Sequence, residues 1–466
     1  MKNFYLKFIN GQLNSGKTLI VLVFLALWMY LPTLGISELK SWDEAIYANI
    51  SRTIFQSGDY LHLQFHDEPY FNKPPLFFYL TSWGYHVFGV NEFSSRIVSV
   101  LFGMGCLLVG FHFATKLYNT KIATIAVLLM LSNYHFFITV RHGRMESMAA
   151  FFIVFACYSF YRLMDDRRWI YGFAMAIGLG VLTKGGMGFL PFLVILPFLF
   201  LYPKWLKNIL NYHTLLAIVL TLVIVVPWYL VQYQIYGANY VDQFIGFQLI
   251  DRMKVAIEGH QEPWWYYLYR TTFYYFSNWS VLVLPGLVFI VWKSFKDKNP
   301  GTVLIALLSW CVLLLFSFGV KTKLPWYIFT LYIPLSIAVS LMIDLFKGRL
   351  EWLKNFIVIT SLLSILILPL FKFKTSHNNL KSMLSVFEKE FNENSEVFAY
   401  NIDYQSLKFY TNANLKVFSA FEDINNLQFE GNSYLVLKKM DFRLLKHPED
   451  YLVLDENQNY IFLKQK

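Results

Sequence analysis

Long apolar runs separated by short polar segments constrain this chain more than any other feature. A membrane-spanning helix needs about 20 mostly apolar residues, and eleven stretches of the sequence approach that length. Helices satisfy their own backbone hydrogen bonds inside lipid, so the pattern predicts a polytopic α-helical membrane protein with about 11 to 13 membrane helices. The runs lie near residues 19–36, 93–114, 122–140, 147–161, 169–183, 186–202, 214–233, 266–292, 302–320, 325–345 and 355–371.

The composition of the 466-residue chain agrees with a membrane protein. Hydrophobic residues make up 56% of it and charged residues only 15%, against roughly 25% charged residues in soluble domains. The formal net charge is +10, but the basic residues form short clusters between apolar runs and do not line one polar face. We therefore expect membrane lipids as partners and no nucleic acid.

The basic clusters also predict the orientation of the chain. Lys and Arg are enriched in cytoplasmic loops, and the clusters place the N-terminus in the cytoplasm. We expect the protein in the inner membrane of the cell. The stretch 75–88 is short for a span, and counting it would put the later clusters outside, so we expect it to be re-entrant or interfacial. The clusters lie near residues 2–17, 116–121, 162–168, 204–207, 293–298 and 347–354.

The last part of the chain has a different composition. Residues 372–466 are polar, with short strand-like runs at 396–400, 416–420, 434–437 and 451–454 and a helix-like run at 404–410. This alternation predicts a small α/β domain, and the parity of the spans places it outside the cytoplasm. We therefore expect two domains, a membrane domain of residues 1–371 and an extracytoplasmic domain of residues 372–466.

Two ionisable positions stand out in the polar segment after the first apolar run. Asp43, followed by Glu44, begins an amphipathic stretch. A carboxylate at that position is either stabilised by the dipole of a helix that begins there or acts as a general base. Lys73 precedes two prolines that restrict its backbone. Its ammonium either snorkels at the membrane surface or binds a phosphate.

Further charges fall on the predicted outer side. Arg144 and Glu146 lie on the outer side against the trend of the orientation rule, which either an internal ion pair or an anionic ligand explains. Lys184, in the stretch LTKGGMG, is a similar but weaker candidate, because glycine-rich helix turns with a lysine also occur for packing. Lys323 begins a later span as an anchor, or it joins Arg252 and the other cations around a phosphate leaving group.

A metal site is only weakly indicated. His260 lies alone in the segment 234–263, and a lone histidine is most often an ordinary polar contact. Asp43 and His260 are weak candidate ligands. The cofactor is therefore unknown from the sequence, which does not require a divalent metal.

Several segments together resemble a known family. The residues WDEAIYANISRTIFQSGDY, YFNKPPLFFYL, GRMESMAAFF, LTKGGMGFL, GHQEPWWYYL and TKLPWYI are similar to the bacterial branch of the C-superfamily (GT-C) glycosyltransferases, which includes protein O-mannosyltransferases and the lipid A aminoarabinose transferase. The resemblance covers roughly the first 345 residues in order. It implies a GT-C-like fold and transfer, with inversion, of a sugar from a polyprenyl-phosphate donor to lipid A, a glycan or a protein outside the cytoplasm.

The resemblance also implies roles for single residues. Asp43 matches the family's catalytic acidic residue of the first outer loop, and Lys73 matches the lysine that meets the donor phosphate. Glu146 stands at the aspartate of an R-x-D motif and is the second candidate catalytic residue. The looser matches to donor contacts are Arg252, Lys323 and Tyr327, with Arg144 as a further cation for substrate.

Two departures from the family pattern limit what the resemblance implies. Position 72 is Asn, where the aminoarabinose transferases have a glutamate that can help to hold a metal, and Glu146 is one methylene longer than the usual aspartate. Neither a metal nor aminoarabinose is therefore implied.

Two other classes of membrane protein are alternatives, a polysaccharide ligase or polymerase and a transporter or flippase for lipid-linked sugars. A transporter commonly carries its functional charges near the bilayer midplane, whereas these charges are expected at one surface.

Overall fold

The structure, a computed structural model, describes residues 7–40, 42–251, 254, 260–275, 277–370, 380–383, 386, 389–390, 395–402, 404–411, 414–418 and 433–466. By contacts between Cα atoms the chain forms two compact units. The membrane unit comprises residues 1–32, 71–77 and 97–371, and the second unit comprises residues 33–70, 78–96 and 372–466. The predicted domain boundary at residues 371 and 372 lies outside the described residues and stays a prediction.

Helices dominate the described chain. In chain order they are α1 (Ser15–Tyr30), α2 (Asp43–Ser57), α3 (Leu76–Phe88), α4 (Glu92–Leu117), α5 (Thr120–Leu131), α6 (Tyr134–Val140), α7 (Glu146–Arg162), α8 (Trp169–Lys184), α9 (Leu190–Leu201), α10 (Leu206–Ile209), α11 (Tyr212–Tyr236), α12 (Ala238–Val241), α13 (Tyr266–Arg270), α14 (Val283–Asp297), α15 (Pro300–Leu314), α16 (Tyr332–Asp344), α17 (Glu351–Ile367) and α18 (Tyr404–Thr411).

Shorter helical turns and strands complete the fold. The π-helical segments are Asp242–Asp251, Thr271–Tyr275 and Leu315–Gly319, and the 3-10 turns are Gly185–Phe189, Pro203–Trp205, Ser277–Leu282, Pro325–Leu331, Gly348–Leu350, Leu368–Leu370, Leu380–Met383, Asp441–Leu444 and Pro448–Asp450. The strands are β1 (Gln64–Phe65), β2 (Glu68–Pro69), β3 (Glu396–Tyr400), β4 (Asn414–Phe418), β5 (Ser433–Lys438), β6 (Tyr451–Glu456) and β7 (Tyr460–Gln465).

The structure confirms a polytopic helical membrane protein, while the predicted number of about 11 to 13 membrane helices stays a prediction. Seven helices among the described residues are long and apolar enough to cross a membrane, or eight if the bent pair α5 and α6 counts as one span. Asparagine often sets where these helices start, because its side-chain oxygen accepts a backbone N–H of the first turn. Helices α1, α5, α6, α11 and α15 begin in this way, after Asn14, Asn119, Asn133, Asn211 and Asn299.

Two predicted features differ in detail from the structure. The run 122–140 is a pair of helices with a 73° bend between them, because the first helix ends at Leu131 and Asn133 caps the second. The segment 234–263, predicted as a long loop, is helical or π-helical through Asp251.

The chain reverses between α8 and α9, as the two separate runs 169–183 and 186–202 predict. Gly185 has φ +57, a backbone conformation that favours glycine. Beyond it, a Cβ atom on Gly188 would lie 2.3 Å from the backbone nitrogen of Val181. Glycine at position 188 therefore lets the returning chain touch the backbone of α8.

The second unit is built on a five-stranded sheet with the order β4-β3-β5-β7-β6. Strand β3 pairs parallel with β4 and β5, while β7 pairs antiparallel with β5 and β6. The predicted α/β character of the C-terminal region is confirmed, with four strands and α18 close to their expected positions. Strand β7 was not among the predicted strands.

A buried ion pair anchors the first part of the second unit. The Arg96 Nε atom lies 2.7 Å from the Glu44 Oε1 atom, and the two side chains are 2% and 0% exposed. The Arg96 guanidinium also donates to the carbonyls of Leu34, Ser37 and Glu38 at 2.7 to 2.8 Å. One arginine therefore holds the segment before α2 against the start of α4.

Arg96→Met is expected to destabilise this unit, because it leaves the Glu44 carboxylate buried without its cation. Breaking such a pair costs about 3–5 kcal/mol of folding free energy, and chemical unfolding of the detergent-solubilised protein measures the loss. The matched control is Lys416→Met, which breaks the exposed pair with Glu396 and should cost under about 1 kcal/mol. Equal effects from the two variants would contradict this account of Arg96.

Candidate functional site

The membrane unit contains a cavity of about 330 Å³. Its polar lining comes from the segment before α3, the turn after α8 and the π-helical segment after α12, and its remaining walls are largely apolar. A concave site with a few convergent polar groups is the usual form of a ligand pocket. The lining residues are Asn72, Lys73, Pro74, Lys184, Gly185, Gly186, Met187, Phe189, Leu190, Leu193, Phe244, Gln248, Leu315, Phe316, Val320 and Tyr327.

Lys73 reaches this cavity on a segment that is fixed on both sides. After it, two prolines restrict the backbone. Before it, the ring of Phe71 packs edge-on against Tyr236 and Tyr240. The predicted phosphate-binding lysine lies in the cavity wall, and its ammonium donates to the carbonyl of Asn72 at 3.1 Å.

Asn72 takes part in a contact between two amides. Its Oδ1 atom accepts a hydrogen bond of 2.7 Å from Gln248 Nε2, which joins the segment before α3 to the π-helical segment. Position 72, where the resemblance found in the sequence implies a glutamate, therefore carries a neutral amide that is bonded to another neutral group.

A second ammonium group lies in the cavity wall and belongs to Lys184. Its Nζ atom lies 2.9 Å from the Glu146 Oε1 atom, and the side chains are 9% and 3% exposed. Lys184 is the last residue of α8 and Glu146 the first of α7. The Lys184 Nζ atom also lies 5.6 Å from the centroid of the Tyr327 ring, within the range of a cation–π contact.

This pair changes the interpretation of Glu146. One alternative at the sequence level was an ion pair with Arg144, whereas the structure pairs the carboxylate with Lys184. The other carboxylate oxygen of Glu146 is buried and has no hydrogen-bond partner among the described residues. Lys184 is the residue that sequence reasoning undervalued, and its signal was a lysine in the glycine-rich turn LTKGGMG.

Arg144 lies against an aromatic ring. Its guanidinium carbon is 4.3 Å from the centroid of the Trp326 ring. Its backbone nitrogen donates to Ser99 Oγ at 2.9 Å, and the same hydroxyl donates to the Arg144 carbonyl. The structure therefore holds Arg144 beside the segment that carries Tyr327 and does not include it in the cavity lining.

Lys323 is buried, and its ammonium is used within the fold. It donates to the carbonyls of Phe316, Ser317 and Val320 at 3.0, 2.7 and 3.0 Å, at the end of the π-helical segment 315–319. Burial lowers the pKa of Lys323, and nearby Lys321 adds to this effect. Lys323 thus supports the wall that Phe316 and Val320 contribute, while its role as a direct donor contact stays a prediction.

The adjacent acids Asp43 and Glu44, both in the second unit, differ in their exposure to solvent. Glu44 is fully buried against Arg96 and accepts the backbone N–H of Lys40 at 2.7 Å. Asp43 begins α2 and is partly exposed. Trp42 before it has φ +67, a strained conformation for a bulky residue. Asp43 is therefore a partly exposed acid beside a buried one, in a helix that begins after a strained residue.

The remaining candidates are placed as follows. Arg252 lies outside the described residues. The carbonyl of His260 accepts the backbone N–H of Lys323 at 3.1 Å. Within the part of the chain that the structure describes, no three His, Cys, Asp or Glu side chains form a group that could hold a metal. Metal dependence stays a prediction for Asp43 and His260.

The cavity has the chemistry of a site for an amphiphilic anion. Ammonium groups at one side can pair with a phosphate through charge-assisted hydrogen bonds, and Leu190, Leu193 and Leu315 give the site an apolar side. A class of integral membrane proteins that bind a lipid phosphate fits this combination.

Comparisons with known proteins agree with this class. Residues 72–230 match the family model described as dolichyl-phosphate-mannose-protein mannosyltransferase. The undecaprenyl phosphate-α-4-amino-4-deoxy-L-arabinose arabinosyl transferase of Yersinia pestis (strain Pestoides F) is 29% identical over 338 residues, which are 70% of this chain and 59% of that protein. The protein of the same name from Pseudomonas savastanoi pv. phaseolicola is 28% identical over 350 residues, 73% of this chain and 63% of the relative. The chain thus spans about three fifths of the length of these relatives.

Solved structures show the fold. The crystal structure of ArnT from Cupriavidus metallidurans bound to undecaprenyl phosphate superposes with a TM-score of 0.81 at 17% identity, covering 96% of this chain and 97% of that one. The archaeal oligosaccharyltransferase AglB from Archaeoglobus fulgidus gives a TM-score of 0.62 at 11% identity, covering 92% and 70%. These structures confirm the predicted GT-C-like fold. The resemblance stated from the sequence is confirmed by the family model and by the relatives.

Lys323→Met is expected to lower the stability of the membrane unit, because three backbone carbonyls lose their donor. Each buried acceptor left unsatisfied costs about 1–3 kcal/mol, and the shift in the thermal unfolding midpoint measures the loss. Lys321→Met is the control, since Lys321 is exposed two residues away. An unfolding midpoint equal to that of the unaltered protein, with weaker binding of undecaprenyl phosphate, would instead assign Lys323 to the ligand.

Proposed function

We propose that this protein is a glycosyltransferase that moves a sugar from a polyprenyl-phosphate carrier to an acceptor outside the cytoplasm, with inversion at the anomeric carbon. The observation that carries the proposal is the cavity in which Lys73 and Lys184 meet an apolar wall. The names of the relatives, which are transferases acting on undecaprenyl-phosphate sugars, support the same class of donor.

In this proposal the cations act on the leaving group. The bond between the anomeric carbon and the phosphate oxygen breaks, and its electron pair stays on the polyprenyl phosphate. Lys73 stabilises the charge that develops there, because a fixed ammonium in a water-poor site needs no reorganisation during the reaction. Lys184 contributes its charge and is held in place by Glu146 and by the ring of Tyr327.

Asp43 acts on the acceptor in the proposed reaction. Its carboxylate takes the proton of an acceptor hydroxyl or amine, whose oxygen or nitrogen forms the new bond to the anomeric carbon. A general base that remains accessible while its neighbour Glu44 is buried fits this role. Removing such a base typically costs about 10²–10⁴-fold in rate.

The sugar and the acceptor are proposed only as classes. Asn72 is neutral and bonded to Gln248, so we rank a general sugar above aminoarabinose, and lipid A, another glycan and a protein are the acceptors to test. We propose the inner membrane as the location, with the N-terminus in the cytoplasm and the site outside, from the basic clusters.

A transfer assay tests the function directly. Purified protein is incubated with radiolabelled undecaprenyl-phosphate sugars and envelope acceptors, with and without a metal chelator. The unaltered protein is expected to move label to an acceptor, and Asp43→Asn to lose at least about 10²-fold of that rate while staying folded. Label that crosses liposome membranes without a new bond would favour a flippase, and transfer of preassembled polysaccharide alone would favour a ligase. Near-normal turnover by Asp43→Asn would remove the base role.

Lys73→Ala is expected to weaken donor binding by about 2–5 kcal/mol, because the lost cation faces a phosphate in a desolvated site. Titration with undecaprenyl phosphate measures this change. Lys321→Ala serves as the control for an exposed lysine, with an expected change under about 1 kcal/mol. A change of that smaller size at Lys73 would support an interfacial anchor.

Reporter fusions test the proposed orientation. A fusion after Lys296, in a basic cluster, should report the cytoplasm, and a fusion at Lys466 should report the outside, because the clusters follow the positive-inside rule. Alkaline phosphatase, active only outside, and a cytoplasmic fluorescent protein give opposite signals at the two sites. The same signal from both fusions would contradict the topology.

A further inference from the structure

Helix α18 of the C-terminal region packs against α2 through polar contacts within the second unit. The Asn49 side-chain amide donates to two carbonyls, that of Ala45 in α2 and that of Gln405 in α18, at 2.8 Å each. One turn later, Arg52 donates to the carbonyl of Phe409 at 2.6 Å. Two side chains of α2 therefore bond directly to the backbone of α18.

Apolar and hydroxyl contacts extend the attachment to the segment before α2. Phe409 is buried in a cluster with Leu39, Ala45 and Ala48. The backbone N–H of Leu39 donates to the hydroxyl of Tyr410 at 2.9 Å, and Ser406 donates to the Leu39 carbonyl. Helix α18 thus contacts the chain on both sides of Asp43.

We infer that α18 positions the Asp43 carboxylate and that Asn49 is the positioning residue through which it acts. The inference rests on the proposed function, in which Asp43 is the base. Asn49 holds the carbonyl of Ala45 in the first turn of α2, the turn that Asp43 begins. The C-terminal region therefore contributes to the chemical step, in addition to any contact with an acceptor.

The physical reason is the sensitivity of proton transfer to geometry. A misplacement of about 1 Å by a change away from the chemistry can cost about 10²-fold in rate. The Arg96 contact holds Glu44 from one side of the turn, and α18 holds Ala45 and Leu39. Without α18 the first turn of α2 loses one of its two supports.

Asn49→Asp tests the inference with almost no change in volume. It places an acceptor against the carbonyls of Ala45 and Gln405, so the first turn of α2 should loosen. We expect kcat to fall about 10–100-fold with donor KM changed less than about 2-fold, and the amides of Ala45 and Ile46 to exchange with deuterium at least about 10-fold faster. Hydrogen exchange with mass spectrometry on the full-length protein supplies the second readout.

The control is Asn457→Asp, in the turn between β6 and β7. There the side-chain oxygen accepts the backbone N–H groups of Asn459 and Tyr460, and a carboxylate oxygen can accept both of these bonds. This variant should leave both kcat and the exchange of the α2 amides unchanged.

The outcomes separate the inference from the proposed function. Unchanged exchange at Ala45 and Ile46, or a fall in donor affinity that matches the fall in kcat, would overturn the positioning role. If the unaltered protein transfers no sugar, the proposed function fails, while the exchange rates still decide whether α18 holds the turn. Should Asn49→Asp not fold, Phe409→Leu loosens the same contact without a new charge, and faster exchange with lower kcat is again expected.

Discussion

Charged groups buried in this protein must find their partners within the chain, because an isolated charge in an apolar environment is very costly. Three cations meet this requirement by donating to backbone carbonyls where regular structure ends. Arg96 holds the segment before α2, Lys323 holds the end of the π-helical segment 315–319, and Arg141 donates to the carbonyls of Met29, Tyr30 and Pro32 at the end of α1. Each of these cations stabilises the fold by donating to backbone carbonyls in turns and at helix ends.

The same requirement separates structural charges from those available to a ligand. Glu44 is fully buried with Arg96, whereas its neighbour Asp43 remains accessible. Lys323 is enclosed by carbonyls, whereas Lys73 and Lys184 line the cavity. Residues of the same type therefore differ in role according to the partners that surround them, and this difference directs the proposed chemistry.

Local patterns predicted a large part of the architecture. Strand β3 and helix α18 were expected almost at their observed bounds, because apolar alternation and a helical period are local signals. Strand β7 is a short run at the end of the chain and was not predicted as a strand. The bend at Asn133 was also not predicted, because the hydropathy of the run 122–140 is continuous across it. Of the candidate site, Lys73, Lys184 and Tyr327 meet in one cavity, although Lys184 had received less weight than the others.

The sequence by itself determined the membrane class, the α/β character of the C-terminal region and the positions of the polar residues that interrupt the apolar runs. Tertiary structure alone decided which of those residues become partners. The Glu146 carboxylate pairs with Lys184 and not with Arg144, and Asn49 bonds to Gln405, which lies 356 residues later in the chain. Such pairings depend on which distant segments the packed helices bring together, and the periodicity of a single segment carries no information about the partner that lies across from it.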